Sequence, residues 1–385
     1  MNVLITPDSF KESLSANKVA DAIERGFARV FPDANFTKIG LGDGGEGTAD
    51  ILVSAMGGTT VTTLAHDPLR RLKQCRYGKV NLPSGEAAVI EIASASGLEG
   101  ITPTERDPLN SNSFGTGELI LDALNNGIRN FFIGLGGSAT NDGGAGLLQA
   151  LGAEFYCGND QLSYINPIDF ERITRIDLSG LDKRLADSHF TVICDVTNPL
   201  LGPQGASEIF GPQKGASRET VRKLDIALAH YADLLEDVTS FEARNAEGAG
   251  AAGGAGFGLL TVLRADLRRG TEVVLDSLKI DEHILAADLI ITGEGCFDAQ
   301  SERGKAPLGI AARASKRGKP VILISGVLGE YETKCDHPEI DAIFPSIAKL
   351  SEPEEAFRHA SHNLERTACE IAKTLRLGMS LSLNY

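Results

Sequence analysis

At 385 residues the chain is long for one core, and at about 150 residues per domain it predicts two or three domains. Lys+Arg 37 against Asp+Glu 52 leaves a formal net charge of −15 at pH 7, which argues against a nucleic-acid or anionic-membrane binder, since a polyanion needs a basic face. A composition of 42% hydrophobic and 23% charged residues belongs to a folded globular protein, while 43 glycines, well above the usual ~7%, predict many tight turns or close backbone approaches.

In chain order, Val3-Leu4-Ile5 reads as a short buried strand. Ser15 stands as an N-cap before Val19, Ala20, Ile23, Phe27 and Val30, whose spacing predicts a helix that Pro32 stops. A second strand over 36–41 enters Gly42-Asp43-Gly44-Gly45-Glu46-Gly47, and Ala49, Leu52, Val53 and Met56 predict the next helix. This β-α-β-loop-α order is an α/β signature. The middle is loop-rich, with strands over 89–92, 131–133 and 191–194, a helix near 119–124, and another carrying Val221, Leu224, Leu228, Ala232 and Leu235. A Gly/Ala tract over 248–258 precedes a helical stretch over 259–267. The C-terminal part returns to the opening style. A strand over 287–291 enters a loop Thr292-Gly293-Glu294-Gly295, a helix follows Pro307, and strands follow over 321–324 and 342–344. Phe357, Ala360, Leu364, Ala368, Ile371 and Leu375 then mark one long amphipathic helix. Similar α/β ends around a different middle predict a discontinuous domain from both termini, residues 1–65 and 270–385, and an inserted α/β domain, 66–269.

Several classes are excluded. No apolar run reaches the ~18 residues of a membrane span, and Met1 to Asp8 has neither a basic region nor an apolar export signal. The six cysteines lie far apart with no C-x-x-C pair, so reduced thiols in a cytoplasmic protein are expected rather than a zinc site or a disulfide scaffold. The phosphate loop G-x-x-x-x-G-K-[ST] and the protein-kinase H-R-D and D-F-G elements are missing, and the segment after Phe132-Ile133 is not G-x-G-x-x-G with an acid about 20 residues on.

What remains is a repeated Asp-Gly-Gly-x-Gly, at Asp43 to Gly47 and at Asp142 to Gly146, each between a strand and a helix. The second closes the run Gly134-Leu135-Gly136-Gly137-Ser138-Ala139-Thr140-Asn141-Asp142-Gly143-Gly144. Such backbone can turn its N–H groups onto an anion, helped by the next helix N-terminus. A carboxylate in the same loop makes sense if Mg²⁺ lies between it and a phosphate, or if it meets a hydroxyl. The plain alternative is a tight turn with Asp as helix cap. Other candidates also stand at strand ends, where α/β sheets bind ligands: Asp8-Ser9-Phe10-Lys11, Asp195 before Thr197-Asn198-Pro199, and Glu294 and Asp298 with Arg303 and Lys305 beyond. Gly211-Pro212-Gln213-Lys214-Gly215 reads as a rigid turn displaying one lysine, for an anion or simply for solvent.

Taken in order, these segments resemble the bacterial glycerate kinase family. The carrying residues are Pro7 to Lys11 with Ser13 to Ala16, Asp43 to Thr48, Phe114 to Ile120, Gly136 to Gly146, Asn198 to Leu200, Phe210 to Gly215, Gly248 to Gly254 and Ile291 to Gly295. Cys296-Phe297 stand where the family tends to show Arg-Ile, so if that Arg binds phosphate, Arg303 or Lys305 must substitute for it. The resemblance implies a Rossmann- or flavodoxin-like discontinuous domain with a second α/β domain inserted. It also implies ATP-dependent phosphorylation of D-glycerate by Mg²⁺-assisted direct transfer in a cleft between the domains, with 2-phosphoglycerate favoured over the 3-phosphate. The expected catalytic residues are Asp195 as base, Asp142 as its alternative, and Lys11. Substrate or phosphate would meet Ser9, Lys11, Gly136, Gly137, Ser138, Asn141, Lys214 and Glu294, and the metal Asp43 and Glu294. The partners implied are glycerate and ATP, with no nucleic acid, no membrane, and homo-oligomer formation open. A hydroxy-acid dehydrogenase using NAD is the competing class, and the lack of that fingerprint after Phe132-Ile133, together with the acids in the glycine loops, counts against it. A non-catalytic binding module explains neither the acids nor their placement.

Overall fold

A computed structural model of the chain describes residues 1–10, 13–41, 52–53, 56–297, 306–329, 337–347, 349 and 352–382. The chain divides into two compact units, one of Met1–Glu46 with Thr271–Tyr385 and one of Gly47–Gly270. Both are α/β. Among the described residues no helix is long and apolar enough to cross a membrane.

The first unit carries a five-stranded sheet in the order Ala342–Pro345, Val321–Leu328, Leu289–Phe297, Asn2–Ile5, Asn35–Lys38, and every pair is parallel. Numbered along the unit's own chain, that is 2-1-3-4-5, the flavodoxin-type order, whose reversal between the first and third strands is where such sheets bind ligands. The strands are short apolar runs because both faces are covered. Val3, Ile5, Ile291 and Ile324 pack on Val19, Ile23 and Phe27 of the helix Ala16–Ala28, and on Leu364, Ala368 and Ile371 of Ala360–Ser382. Leu4, Ile290 and Val321 face Ile280 and Ile284 of Ile280–Ala286, and Ile310 of Ala306–Ser315.

Two elements differ from the sequence reading. The C-terminal amphipathic helix is broken at His359 into Pro353–Arg358 and Ala360–Ser382. Glu294 is not in a loop: the strand continues to Phe297, pairing Glu294 with Ser325 and Cys296 with Val327. Gly293 serves close approach here rather than a turn, because a Cβ on it would collide with Ile324 O of the neighbouring strand.

The second unit is built on a six-stranded mixed sheet in the order Asp266–Arg268, His189–Ile193, Asn130–Gly134, Gly85–Glu91, Leu72–Leu82, Thr59–His66. The first four strands are parallel and the last two form antiparallel pairs, a hairpin absent from the sequence reading. A small antiparallel sheet, Asp160–Gln161, Glu154–Cys157 and Arg175–Asp177, is also new. The core joins Ile90, Ile133 and Val192 to Leu147, Leu228, Tyr231 and Phe257, with Phe131 stacked on Phe190 at 4.7 Å between ring centroids. Helix Arg218–Thr239 follows the predicted spacing and buries Val221, Leu224, Leu228, Ala232 and Leu235. The Gly/Ala tract only partly precedes the next helix: residues 248–250 lie before it, and the rest falls within Ala251–Leu263. Ala251–Leu263 contains Ala252, Gly253 and Gly254 at φ of 53°, 67° and 87°, a left-handed kink inside a buried helix.

Candidate active site

In the second unit, register fixes where chemistry can occur. Glu91 pairs with Gly134, Gly134 with Ile193, and Ile193 with Arg268, so four parallel strands end on one line. The glycine run leaves from Gly134, Asp195 follows Ile193, and Gly270 follows Arg268. Loops at one carboxyl edge are the expected ligand site of an α/β sheet.

Within the run, Gly136 and Gly137 are exposed, while Ser138 to Gly146 are buried. Three interactions lock the buried part. First, Asp142 is fully buried, and its carboxylate accepts from Ser113 N and Ser113 Oγ, both at 2.8 Å, from Gly146 N at 3.0 Å and from Gly144 N at 3.3 Å. It thereby caps Ala145–Ala150 and ties the run to the start of helix Phe114–Asn125. Burial pushes its carboxyl above the usual range, against the pull of those donors. Second, helix Ala206–Phe210 and the turn following it reach in, with Asn141 Nδ2 donating to Ser207 Oγ at 2.9 Å and Lys214 Nζ to Ser138 Oγ at 2.9 Å and Thr140 O at 2.6 Å. Third, the helix kink abuts the loop. Gly143 N donates to Gly253 O at 2.9 Å, and a Cβ on Gly253 would clash with the main chain of Thr140 and Asn141. Only glycine suits that left-handed, crowded position.

Lys214 corrects the sequence reading of a displayed lysine. It is 2% exposed, because Pro212–Lys214 forms a tight turn that Gly215, at φ 96°, reverses against Arg106. Burial lowers its ammonium from the ordinary 10.5 to about 7, with the Asp142 charge opposing the shift. The sign for stability follows by linkage. Between about pH 7 and 10.5 the unfolded chain holds a proton that the folded one has lost, so folding is favoured increasingly as pH rises. Urea midpoints of the wild type and Lys214→Met should therefore diverge in favour of the wild type across that window, and a constant gap would contradict the lowered value.

Asp195 is exposed, and its Oδ1 accepts from Gly270 N at 3.0 Å, at the start of helix Gly270–Ser277. In the first unit, Ser9 is half-buried and its N–H donates to Asp8 Oδ1 at 2.6 Å, while Asp8 N donates to Gly293 O at 2.8 Å. Ser9 and Glu294, the latter 4% exposed, thus stand at the sheet's order reversal. Lys11, Asp43 with the whole first Asp-Gly-Gly-x-Gly loop, Asp298, Arg303 and Lys305 lie outside the described residues. Among the described residues no group of three or more His, Cys, Asp or Glu side chains could hold a metal ion.

Sequence reasoning passed over Ser113 and Ser207, which hold the run, and the pair His66–Glu118. Glu118 accepts from His66 N at 2.7 Å and lies 2.9 Å from His66 Nδ1. Glu118 belongs to the quoted segment Phe114 to Ile120, but nothing local marks its partner 52 residues earlier.

A model described as the glycerate kinase family matches residues 3–376. The glycerate 2-kinase of Escherichia coli (strain K12) is 46% identical over 379 residues, covering 98% of this chain and 99% of that protein. A glycerate kinase of Bacillus subtilis (strain 168) is 44% identical over 385 residues and the full length of both. A crystal structure from Salmonella typhimurium LT2, whose description assigns it to glycerate kinase 2, superposes with a TM-score of 0.85 at 46% identity and covers 99% of both chains.

Proposed function

Since the chain belongs to the glycerate kinase family, we propose that it transfers the terminal phosphoryl group of ATP to the 2-hydroxyl of D-glycerate, giving 2-phosphoglycerate and ADP. The 2-position is preferred because the E. coli relative, 46% identical across nearly the whole chain, is named a glycerate 2-kinase. The observation that carries the reading is the common end of the parallel strands, from which the bare Gly136–Gly137 step and Asp195 both depart.

Phosphate suits that step. No heavy atom lies within 4 Å of where a Cβ on Gly136 would stand, and Gly137 is left-handed at φ 72°, so main chain can approach an anion without obstruction. Gly136, Gly137 and Ser138 are assigned to the phosphates, with Asn141 holding the loop behind them. Asp195 accepts the hydroxyl proton of glycerate. Ser9 and Lys11 are assigned to the substrate's anionic groups. Glu294 and Asp43 are assigned to Mg²⁺, which ordinarily takes only one or two carboxylates beside phosphate oxygens and water, and which when bound would neutralise charge on the transferred group. Asp142, with its oxygens engaged by four donors, is assigned to shaping the loop rather than to proton transfer.

Incubation with ATP, Mg²⁺ and D-glycerate should release ADP, and phosphorus NMR of the product should show 2-phosphoglycerate. A 3-phosphoglycerate signal would overturn the regiochemistry. No ADP, together with glycerate-dependent reduction of NAD, would overturn the kinase reading.

A further inference from the structure

The lysine of the turn at 211–215 is buried. Its Nζ is spent on two acceptors inside the protein, Ser138 Oγ and Thr140 O, both within three residues of the exposed Gly136–Gly137 step. The turn that delivers it is itself held. Lys214 N donates to Gly211 O at 3.0 Å, Gly215 N to Pro212 O at 3.1 Å, and Gly211 N to Ser207 O at 3.0 Å. Arg106 Nη1 donates to Gln213 O at 3.0 Å, clamping the turn from another loop. Ser207 then meets Asn141, so one short segment, 207–214, grips Ser138, Thr140 and Asn141 together.

We propose that Lys214 is a positioning residue for phosphoryl transfer: through Ser138 and Thr140 it sets the shape of the Gly136–Gly137 step, and it contacts neither ATP nor glycerate. This rests on the kinase reading of the same loop. The chemistry favours such a role because a charge-assisted hydrogen bond is roughly twice as strong as a neutral one and a buried donor is costly to leave unmade. The grip also responds to protons. The charged group acting on Lys214 is Asp142, and Arg106 is bound to the neighbouring carbonyl. As the ammonium deprotonates near neutrality, the bond to Ser138 loses its charge assistance.

The test uses the full chain with Lys214→Met, Lys214→Arg, Ser138→Ala and the double variant Lys214→Met/Ser138→Ala. Lys214→Met should raise KM for ATP about 10–100-fold with kcat changed less, by a loosened ground-state grip of roughly 1.4–2.7 kcal/mol. The double variant should cost less than the product of the two single effects, because both substitutions break the Lys214–Ser138 contact, while Ser138→Ala also removes the hydroxyl assigned to the phosphates. Lys214→Arg should not restore KM, since a guanidinium does not fit the two-acceptor pocket. The wild-type KM for ATP should rise as pH passes through about 7, and that step should be missing from Lys214→Met. Multiplicative effects in the double variant, or rescue by arginine, would instead indicate a lysine that binds the anion directly and would overturn the proposal. If the lysine variants do not fold, Ser138→Ala still decides, since an unchanged KM for ATP would overturn it. Hydrogen exchange separates this inference from the kinase reading. Amides of residues 135–141 should exchange faster in Lys214→Met whatever the substrate is, and unchanged protection would refute the positioning role even in an active kinase.

Discussion

Asp195→Asn should lower kcat for glycerate phosphorylation by about 10²–10⁴-fold while leaving KM for D-glycerate and the melting temperature nearly unchanged. Asparagine is the informative substitution because Asp195 has a second role. Its Oδ1 accepts from Gly270 N at 3.0 Å, and an amide oxygen can make the same bond. The cap on helix Gly270–Ser277 is thus kept and only the basicity is lost. Asp195→Ala would remove both and confuse a folding defect with a chemical one. Single-turnover measurement of the transfer step gives the cleanest reading, since slow product release could hide part of the loss. Near-normal turnover in Asp195→Asn would reduce the residue to a helix cap.

The second large effect is on stability. Asp142→Ala should cost about 3–5 kcal/mol, a sizeable share of the ~5–15 kcal/mol that holds ordinary domains folded. The carboxylate is fully buried, and its loss strands three main-chain donors, Ser113 N, Gly144 N and Gly146 N, at about 1–3 kcal/mol each before relaxation. Ser113 Oγ suffers less, because it also accepts from Leu147 N at 3.0 Å and can keep that contact. Asp142→Asn retains one acceptor oxygen and should cost distinctly less. Urea denaturation of both variants checks the order, and a loss below about 1 kcal/mol in Asp142→Ala would mean that water replaces the carboxylate in a loop looser than it looks.

The α/β alternation was legible because parallel strands buried on both faces must be short apolar runs, as Val3-Leu4-Ile5 and Val321 to Ile324 are. The hairpin Thr59–His66 with Leu72–Leu82 was not, since much of its surface is exposed and its apolar residues are too sparse to mark a period. Glu294 reads as a loop residue because glycine usually signals a turn, whereas Gly293 answers to the carbonyl of Ile324 in the adjacent strand, far along the chain. The candidate site divides in the same way. That Gly136 and Asp195 follow neighbouring strand ends could be read from their order in the chain. What each does there could not, because the burial of Lys214 is decided by acceptors 76 and 74 residues away, and the four bonds of Asp142 by Ser113 and the helix that follows it. An acid in a glycine loop looks the same in sequence whether it faces a cation or braces the backbone.

The first unit's strand order has a consequence for biosynthesis. Asn2–Ile5 pairs on one side with Asn35–Lys38, which emerges from the ribosome almost at once, and on the other with Leu289–Phe297. At translation speeds of about 5–20 residues per second, the nascent Val3-Leu4-Ile5 edge waits roughly 15–60 s for its second neighbour. The strands of Gly47–Gly270 are all synthesised within that interval, so the second unit can complete its sheet while the first is still half made. During the delay an apolar strand edge is open to pairing with other chains, the hazard that chaperones exist to manage. In a cell, the yield of this enzyme should therefore be more sensitive to chaperone supply during synthesis than the stability of the finished fold would suggest.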